Sequence, residues 1–257
     1  MKKYKLTNET IVDLGITLYR IEALMDFSDV KTGDKGGFVQ SENNLSQLGN
    51  AWVYGNAKVY GNAEVSGNAK VYDNAEVYDN AFVCGDAEVY DNSEVYNYAE
   101  VSDNAEVYDN AKVYGNAKVY GDAEVYDNAF VCGDAEVYDN SEVCGNSEVC
   151  GDAGVCGNAE VYGNAKVYGN AKVYGNAEVR GDAKVYKNGD YIVFKNWWSS
   201  GRYFTWTRSN KMWKVGCFYG NGEELIKKAY ADSEESGREY ERVVRYVESI
   251  LADELNK

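Results

Sequence analysis

The sequence predicts an all-β solenoid, a parallel β-helix of hexapeptide repeats followed by a small α+β C-terminal cap. Three observations carry this reading. Valine recurs at every sixth position from Val53 to Val185, 23 times without a break in phase, and self-similarity at a fixed period marks a repeat architecture. Two residues before each of these valines stands Ala, replaced only by Ser93, Ser141 and Ser147. Two residues after each, from Gly55 to Gly181, stands Gly, Asp or Asn, the residue types that enter the left-handed backbone region most easily. A small residue alternating with a β-branched one makes a short strand with Ala and Val facing inward and Lys, Glu and Tyr facing out. The two remaining residues turn a corner. A helical reading fails, because a period of six does not fit 3.6 residues per turn and Gly, Asn and Asp would interrupt every second turn.

Residues 1–50 precede the regular repeat and read as an N-terminal cap with a first, imperfect coil. Ile11 to Ile21 alternates as strands do, and Gly33-Asp34-Lys35-Gly36-Gly37-Phe38-Val39 turns into a coil that runs through Leu45. A solenoid end exposes unpaired strand edges unless something covers them, so a cap is expected at each end.

Residues 51–187 form the rod. The repeat resembles the left-handed parallel β-helix family, whose pattern sets a small residue four positions after an aliphatic one, as from Val53 to Ala57. That resemblance implies the left hand, which general chain geometry does not favour, and three hexads per triangular coil. With about 4.8 Å between stacked strands, 23 hexads make a rod roughly 37 Å long. Residues 18 apart then stack in files. One file holds Tyr54, Tyr72, Tyr90, Tyr108, Tyr126, Cys144, Tyr162 and Arg180; a second holds Tyr60, Tyr78, Tyr96, Tyr114, Cys132, Cys150, Tyr168 and Tyr186. Tyrosine files of this kind stiffen a sheet by cross-strand packing. Corner residues such as Asn56, Asn74, Asn92, Asn110 and Asn128 stack likewise, and their amides are expected to hydrogen-bond along the axis.

Five of the six cysteines occupy the repeat position that is mostly Tyr elsewhere. They read as reduced surface residues, with stacked Cys132 and Cys150 near enough in register to approach disulfide spacing.

Residues 188–257 form the C-terminal unit. Tyr191–Phe194, Tyr203–Thr207 and Met212–Phe218 read as strands. Ser236-Gly237-Arg238-Glu239 reads as a capping box opening a helix with an apolar stripe of Tyr240, Val243, Val244, Val247, Ile250 and Leu251, which is expected to pack on those strands. The flanks resemble acetyltransferase-like hexapeptide proteins of enteric bacteria, phages and prophages. The entry segment from Asp26 to Val39 with Asn44-Leu45-Ser46-Gln47 carries this likeness, together with Val215-Gly216-Cys217-Phe218-Tyr219-Gly220.

Function follows from charge and from what the chain lacks. It has no His and no Pro, and a formal net charge of −16; without imidazole, the commonest acid–base group is missing. The rod carries 24 acidic residues against nine basic ones, with none basic from Val71 to Ala111 or from Tyr120 to Ala165. A stiff acidic rod fits a non-catalytic interaction scaffold or binding module with a basic protein partner, in its sharpest form a phage-encoded inhibitor that mimics DNA. Glu88, Glu94, Glu100 and Glu106 are its candidate contact residues. Direct nucleic-acid binding by the rod is disfavoured because phosphate contacts need clustered cations.

Two alternatives stand beside it. The family resemblance implies a CoA-dependent acyltransferase with a cleft between subunits, a protruding loop and a catalytic His, but the repeat has neither the loop nor the His. The C-terminal aromatic and basic residues Trp197, Trp198, Arg202 and Trp206 offer a small-ligand or nucleotide site. No metal or cofactor motif is present, no membrane-spanning stretch is seen, homo-oligomerisation is left open, and a cytoplasmic location in a bacterial host is expected.

Overall fold

The computed structural model, which describes residues 2–198 and 200–255, contains three parallel sheets wound into a left-handed solenoid and a separate α+β unit. Two compact units divide at Asn188 and Gly189.

All 23 repeat valines are fully buried. Each hexad contributes a two- to four-residue strand, as in Glu106–Val107, and the backbone pairs strictly in register with the coil 18 residues on, Val107 opposite Val89 and Val125. The N–H of Tyr90 donates to the carbonyl of Val107 at 3.0 Å, and the pattern repeats along the rod. Corners sit in the left-handed region, at φ 58° for Asp73 and 74° for Gly133. At Gly133 a Cβ would come within 2.9 Å of the Gly151 backbone, tighter than at Gly55, where the nearest atom of the next corner, in Asp73, is 3.6 Å away. Core Ser for Ala is tolerated because the hydroxyl finds an acceptor: Ser93 donates to the Tyr90 carbonyl at 2.8 Å.

Three faces result. The cystine face is an 11-stranded sheet that begins with a hairpin, β1 (Tyr4–Asp13) and β2 (Ile16–Ala23), and continues through β3 (Lys35–Val39) into the rod. The glutamate face has eight strands, from Trp52–Val53 to Glu178–Gly181, and a mixed face has seven. The imperfect first coil is observed: Val39 pairs with Val59 and Leu45 bridges to Val65 in parallel. These partners lie 20 residues apart instead of 18, so two extra residues are absorbed before Val53. Tyr4, Leu18, Ile21, Leu45 and Trp52 are buried at this end. Lys3 is buried with them; its ammonium donates to the Ala51 carbonyl at 2.8 Å, and burial pulls its pKa down to about 8.

The C-terminal unit is a four-stranded antiparallel sheet with two helices, α1 (Gly222–Asp232) and α2 (Glu234–Leu255). Phe204, Trp206, Trp213, Leu225, Val244 and Val247 form its core, with Tyr240, Val243 and Leu251 packed against them, as the stripe on α2 requires. Two expectations are corrected here. Met212–Phe218 is not one strand, because Gly216 at φ 54° reverses the chain between Met212–Val215 and Phe218–Gly220. Ser236 does not open the last helix, which begins two residues earlier; the Ser233 hydroxyl accepts from the Ser236 N–H at 3.1 Å. The capping box belongs to α1 instead, where Asn221 and Glu224 satisfy each other's backbone N–H groups.

The reduced-cysteine reading is also corrected. Cys132 and Cys150 are disulfide-bonded, because parallel in-register pairing brings their Cα atoms to 4.6 Å. Cys84, Cys144, Cys156 and Cys217 are free. A crosslink closing an 18-residue loop contributes about 3 kcal/mol in the chain-entropy account. Thermal melts followed by circular dichroism should show a lower midpoint for the wild type in reductant and no response to reductant in Cys150→Ser. A wild-type midpoint indifferent to reductant would show that the bridge does not stabilise the rod.

Candidate acidic binding face

On the glutamate face the outward position before each Val carries Glu in six successive coils: Glu88, Glu106, Glu124, Glu142, Glu160 and Glu178, each paired in register with the next. Beside this file run the tyrosines. Tyr72, Tyr90, Tyr108 and Tyr126 stack at 4.7 to 4.9 Å between ring centroids, parallel within 3°. Every phenol reaches across to the carboxylate of the next coil: Tyr72 donates to Glu88 at 2.9 Å, Tyr90 to Glu106 and Tyr108 to Glu124 at 2.8 Å, and Tyr126 to Glu142 at 3.1 Å.

This arrangement answers an electrostatic problem. Like charges stacked about 4.8 Å apart repel by roughly 1 kcal/mol per neighbour even in water. The phenols donated to Glu88, Glu106, Glu124 and Glu142 offset part of that repulsion and fix those Glu rotamers. Glu88 also pairs with Lys70 at 2.9 Å, but Glu106, Glu124 and Glu142 have no ion-pair partner among the described residues.

The other faces differ. On the cystine face Glu76, Glu94 and Glu148 pair with Lys58, Lys112 and Lys166 at 2.6 to 2.8 Å. The candidate contact residues are therefore divided. Glu88 and Glu106 share the glutamate face, while Glu94 lies on the cystine face, neutralised by Lys112. Glu100 lies on the mixed face, 3.8 Å from Lys118, where it lines a shallow cleft with Ser102, Tyr120 and Glu136. Six residues advance the chain by one face, so glutamates at hexad spacing cannot share a surface. Glu124, Glu142, Glu160 and Glu178 were missed for that reason; reading the charges at a spacing of 18 finds them.

One protrusion interrupts the flat faces. The turn Phe27–Val30, closed by backbone hydrogen bonds of 2.9 and 3.1 Å, overhangs the first coils. Phe27 anchors it edge-on to Trp52 at 5.4 Å. Asp29 at its tip accepts from the Tyr54 phenol at 2.9 Å, and Tyr54 stands at 87° to Tyr72, out of the stack. The result is a cleft of about 380 Å³ lined by Asp29, Tyr54, Gly55, Lys70, Tyr72, Asp73 and Glu88. The phenol bond from Tyr54 holds the Asp29 carboxyl below the usual range.

In the C-terminal unit, Trp197 is 82% exposed, whereas Trp198 is half-buried against Phe204 and Tyr240. The indole N–H of Trp198 is buried without a hydrogen-bond partner among the described residues. Arg202 is exposed, with its side chain over Gly216. Trp206 is 2% exposed, so it belongs to the core and not to an open patch with the other three; it lines a cavity of about 90 Å³ with Trp213, Val244 and Leu251.

Among the described residues, no group of three His, Cys, Asp or Glu side chains is placed to hold a metal ion, and no helix is long and apolar enough to cross a membrane. No known family matches the chain, and no curated protein matches it.

The phenols of Tyr72, Tyr90 and Tyr108 are pushed well above their ordinary value, first by burial and then by the hydrogen-bonded carboxylates. An unfolded tyrosine ionises near 10, so the unfolded chain loses protons that the fold retains. Stability from this source is complete below pH 10 and is lost as pH rises from there toward the folded values. Melts between pH 8 and 11 should show a midpoint that falls above pH 10 in the wild type and falls less in a variant with Tyr72, Tyr90 and Tyr108 all replaced by Phe. Equal dependence on pH in the two proteins would contradict this account.

Proposed function

We propose that this chain is a non-catalytic binding rod that docks a protein partner with a basic surface on its glutamate face. The observation that supports the reading most is the uninterrupted file of six in-register glutamates, beside a cystine face where Glu76, Glu94 and Glu148 are each paired with a Lys. Charge gathered on one rigid face steers a cationic partner and fixes its orientation, whereas charge spread over three faces would serve solubility alone.

Duplex mimicry is the narrower version of this proposal. A straight file with one carboxylate per coil of about 4.8 Å has a lower charge density than a duplex, which carries one charge per about 1.7 Å. The broader basic-protein reading asks less of the geometry. Acyl transfer, which the likeness to hexapeptide acyltransferases suggests, finds less support. The chain has no His, and Glu88, Glu106, Glu124 and Glu142 on the glutamate face, which would have to replace it, are engaged by phenols.

Binding of a fluorescent 20-residue polylysine peptide, followed by anisotropy, tests the face directly. The combined variant Glu106→Gln, Glu124→Gln and Glu142→Gln should weaken binding about 10-fold at low salt, with affinity falling as salt rises. The control Glu76→Gln, Glu94→Gln and Glu148→Gln removes the same charge from the cystine face and should change affinity by no more than about 2-fold. Equal losses in the two variants would mean that net charge, and not this face, is recognised.

A further inference from the structure

We propose that the cleft beneath the Phe27–Val30 turn is a guanidinium-binding site, the anchor for an arginine side chain on the partner. This rests on the reading of the rod as a binder of basic proteins, and it adds a chemically defined pocket at one end of the face.

Three features select the ligand. The first is charge. Of the carboxylates lining the cleft, Glu88 is already paired with Lys70, but Asp29 and Asp73 have no ion-pair partner among the described residues. The adjoining hollow of about 280 Å³ adds Asp86, so the site favours a cation. The second is the break in the tyrosine stack. Between Tyr72 and Tyr126 each ring lies flat on the next, whereas the 87° between Tyr54 and Tyr72 means that the first ring does not cover Tyr72 as its successors cover one another. A planar cation is attracted to aromatic surface of this kind. The third is shape. Guanidinium is flat, weakly hydrated and donates in a fork that matches a carboxylate, whereas an ammonium is a strongly hydrated point charge. A cleft of about 380 Å³ has room for a whole arginine side chain, and Asp29 on the overhang offers the carboxylate.

The overhang is itself held in place. Lys3 lies 5.1 Å over the Phe27 ring, Asp26 accepts from the Thr32 N–H and hydroxyl at 2.8 Å, and Tyr54 tethers Asp29. The wall of the cleft is thus built before any ligand arrives, which lowers the ordering cost of binding.

The test uses N-acetyl-arginine methylamide and its uncharged, equally shaped citrulline counterpart, titrated into the full chain and read by calorimetry and amide chemical shifts. The arginine compound should bind at millimolar concentration or below and shift the amides of Asp29, Tyr54 and Tyr72, with the citrulline compound about 10-fold weaker. Asp29→Asn and, separately, Asp73→Asn, which leaves the overhang intact, should each weaken the arginine compound several-fold. Equal binding of both compounds would identify a neutral polar site and overturn the proposal, as would indifference to both substitutions. The combined Glu106, Glu124 and Glu142 variant lies beyond the cleft and should bind the arginine compound normally. Failure of the polylysine experiment would therefore leave this result standing, and failure here would leave the face reading standing.

Discussion

The whole rod depends on a corner. Each hexad must bury one Val and one small residue and then redirect the chain within two residues, which requires a left-handed conformation at the first corner position. Gly supplies it without strain and Asp and Asn with little, and stacked corners such as Gly133 over Gly151 leave almost no space between coils. Once every corner is made this way, a coil is 18 residues long and every residue lies above its counterpart. Tyrosine stacking, amide files such as Asn62 to Asn80 and Asn116 to Asp134, and the Cys132–Cys150 bridge are consequences of that register.

Register also turns a diffuse property into a local one. The chain is acidic overall, but solenoid geometry sorts its charges into files. On the cystine face Lys and Glu neutralise one another between coils, whereas on the glutamate face Glu106, Glu124 and Glu142 have no ion-pair partner among the described residues. The phenol-to-carboxylate hydrogen bonds make this stretch tolerable. A file of stacked anions would otherwise be disfavoured by its own repulsion.

Much of this was legible in the sequence, and the remainder was not for identifiable reasons. Val phase, small-residue spacing and corner chemistry are local, so the solenoid, its tyrosine files and the imperfect coil through Leu45 could be read directly. The helix stripe from Tyr240 to Leu251 was equally plain. Ser236 was misleading because a capping motif can lie inside a helix whose true start is set by the preceding Ser233. Glu94 and Glu100 were grouped with Glu88 and Glu106 because nearness in sequence is not nearness on a threefold coil. Trp206 looked like its neighbours Trp197 and Trp198, but strand alternation points it into the core. The cleft was invisible because it depends on Asp29 reaching Tyr54 across 25 residues, a contact that no repeat pattern encodes.

The two-residue slip between Leu45 and Val53 shows where this architecture tolerates a change of length. Within the rod, gaining or losing a single hexad would preserve the core but rotate everything downstream by one face. The later glutamates would then continue a different file, and the anionic edge would break in two. Only steps of a whole coil keep the faces continuous. Replication slippage in so repetitive a gene would therefore yield rods of varied length with an intact binding edge when it occurs in units of 54 nucleotides, and well-folded rods with scrambled surfaces when it occurs in units of 18.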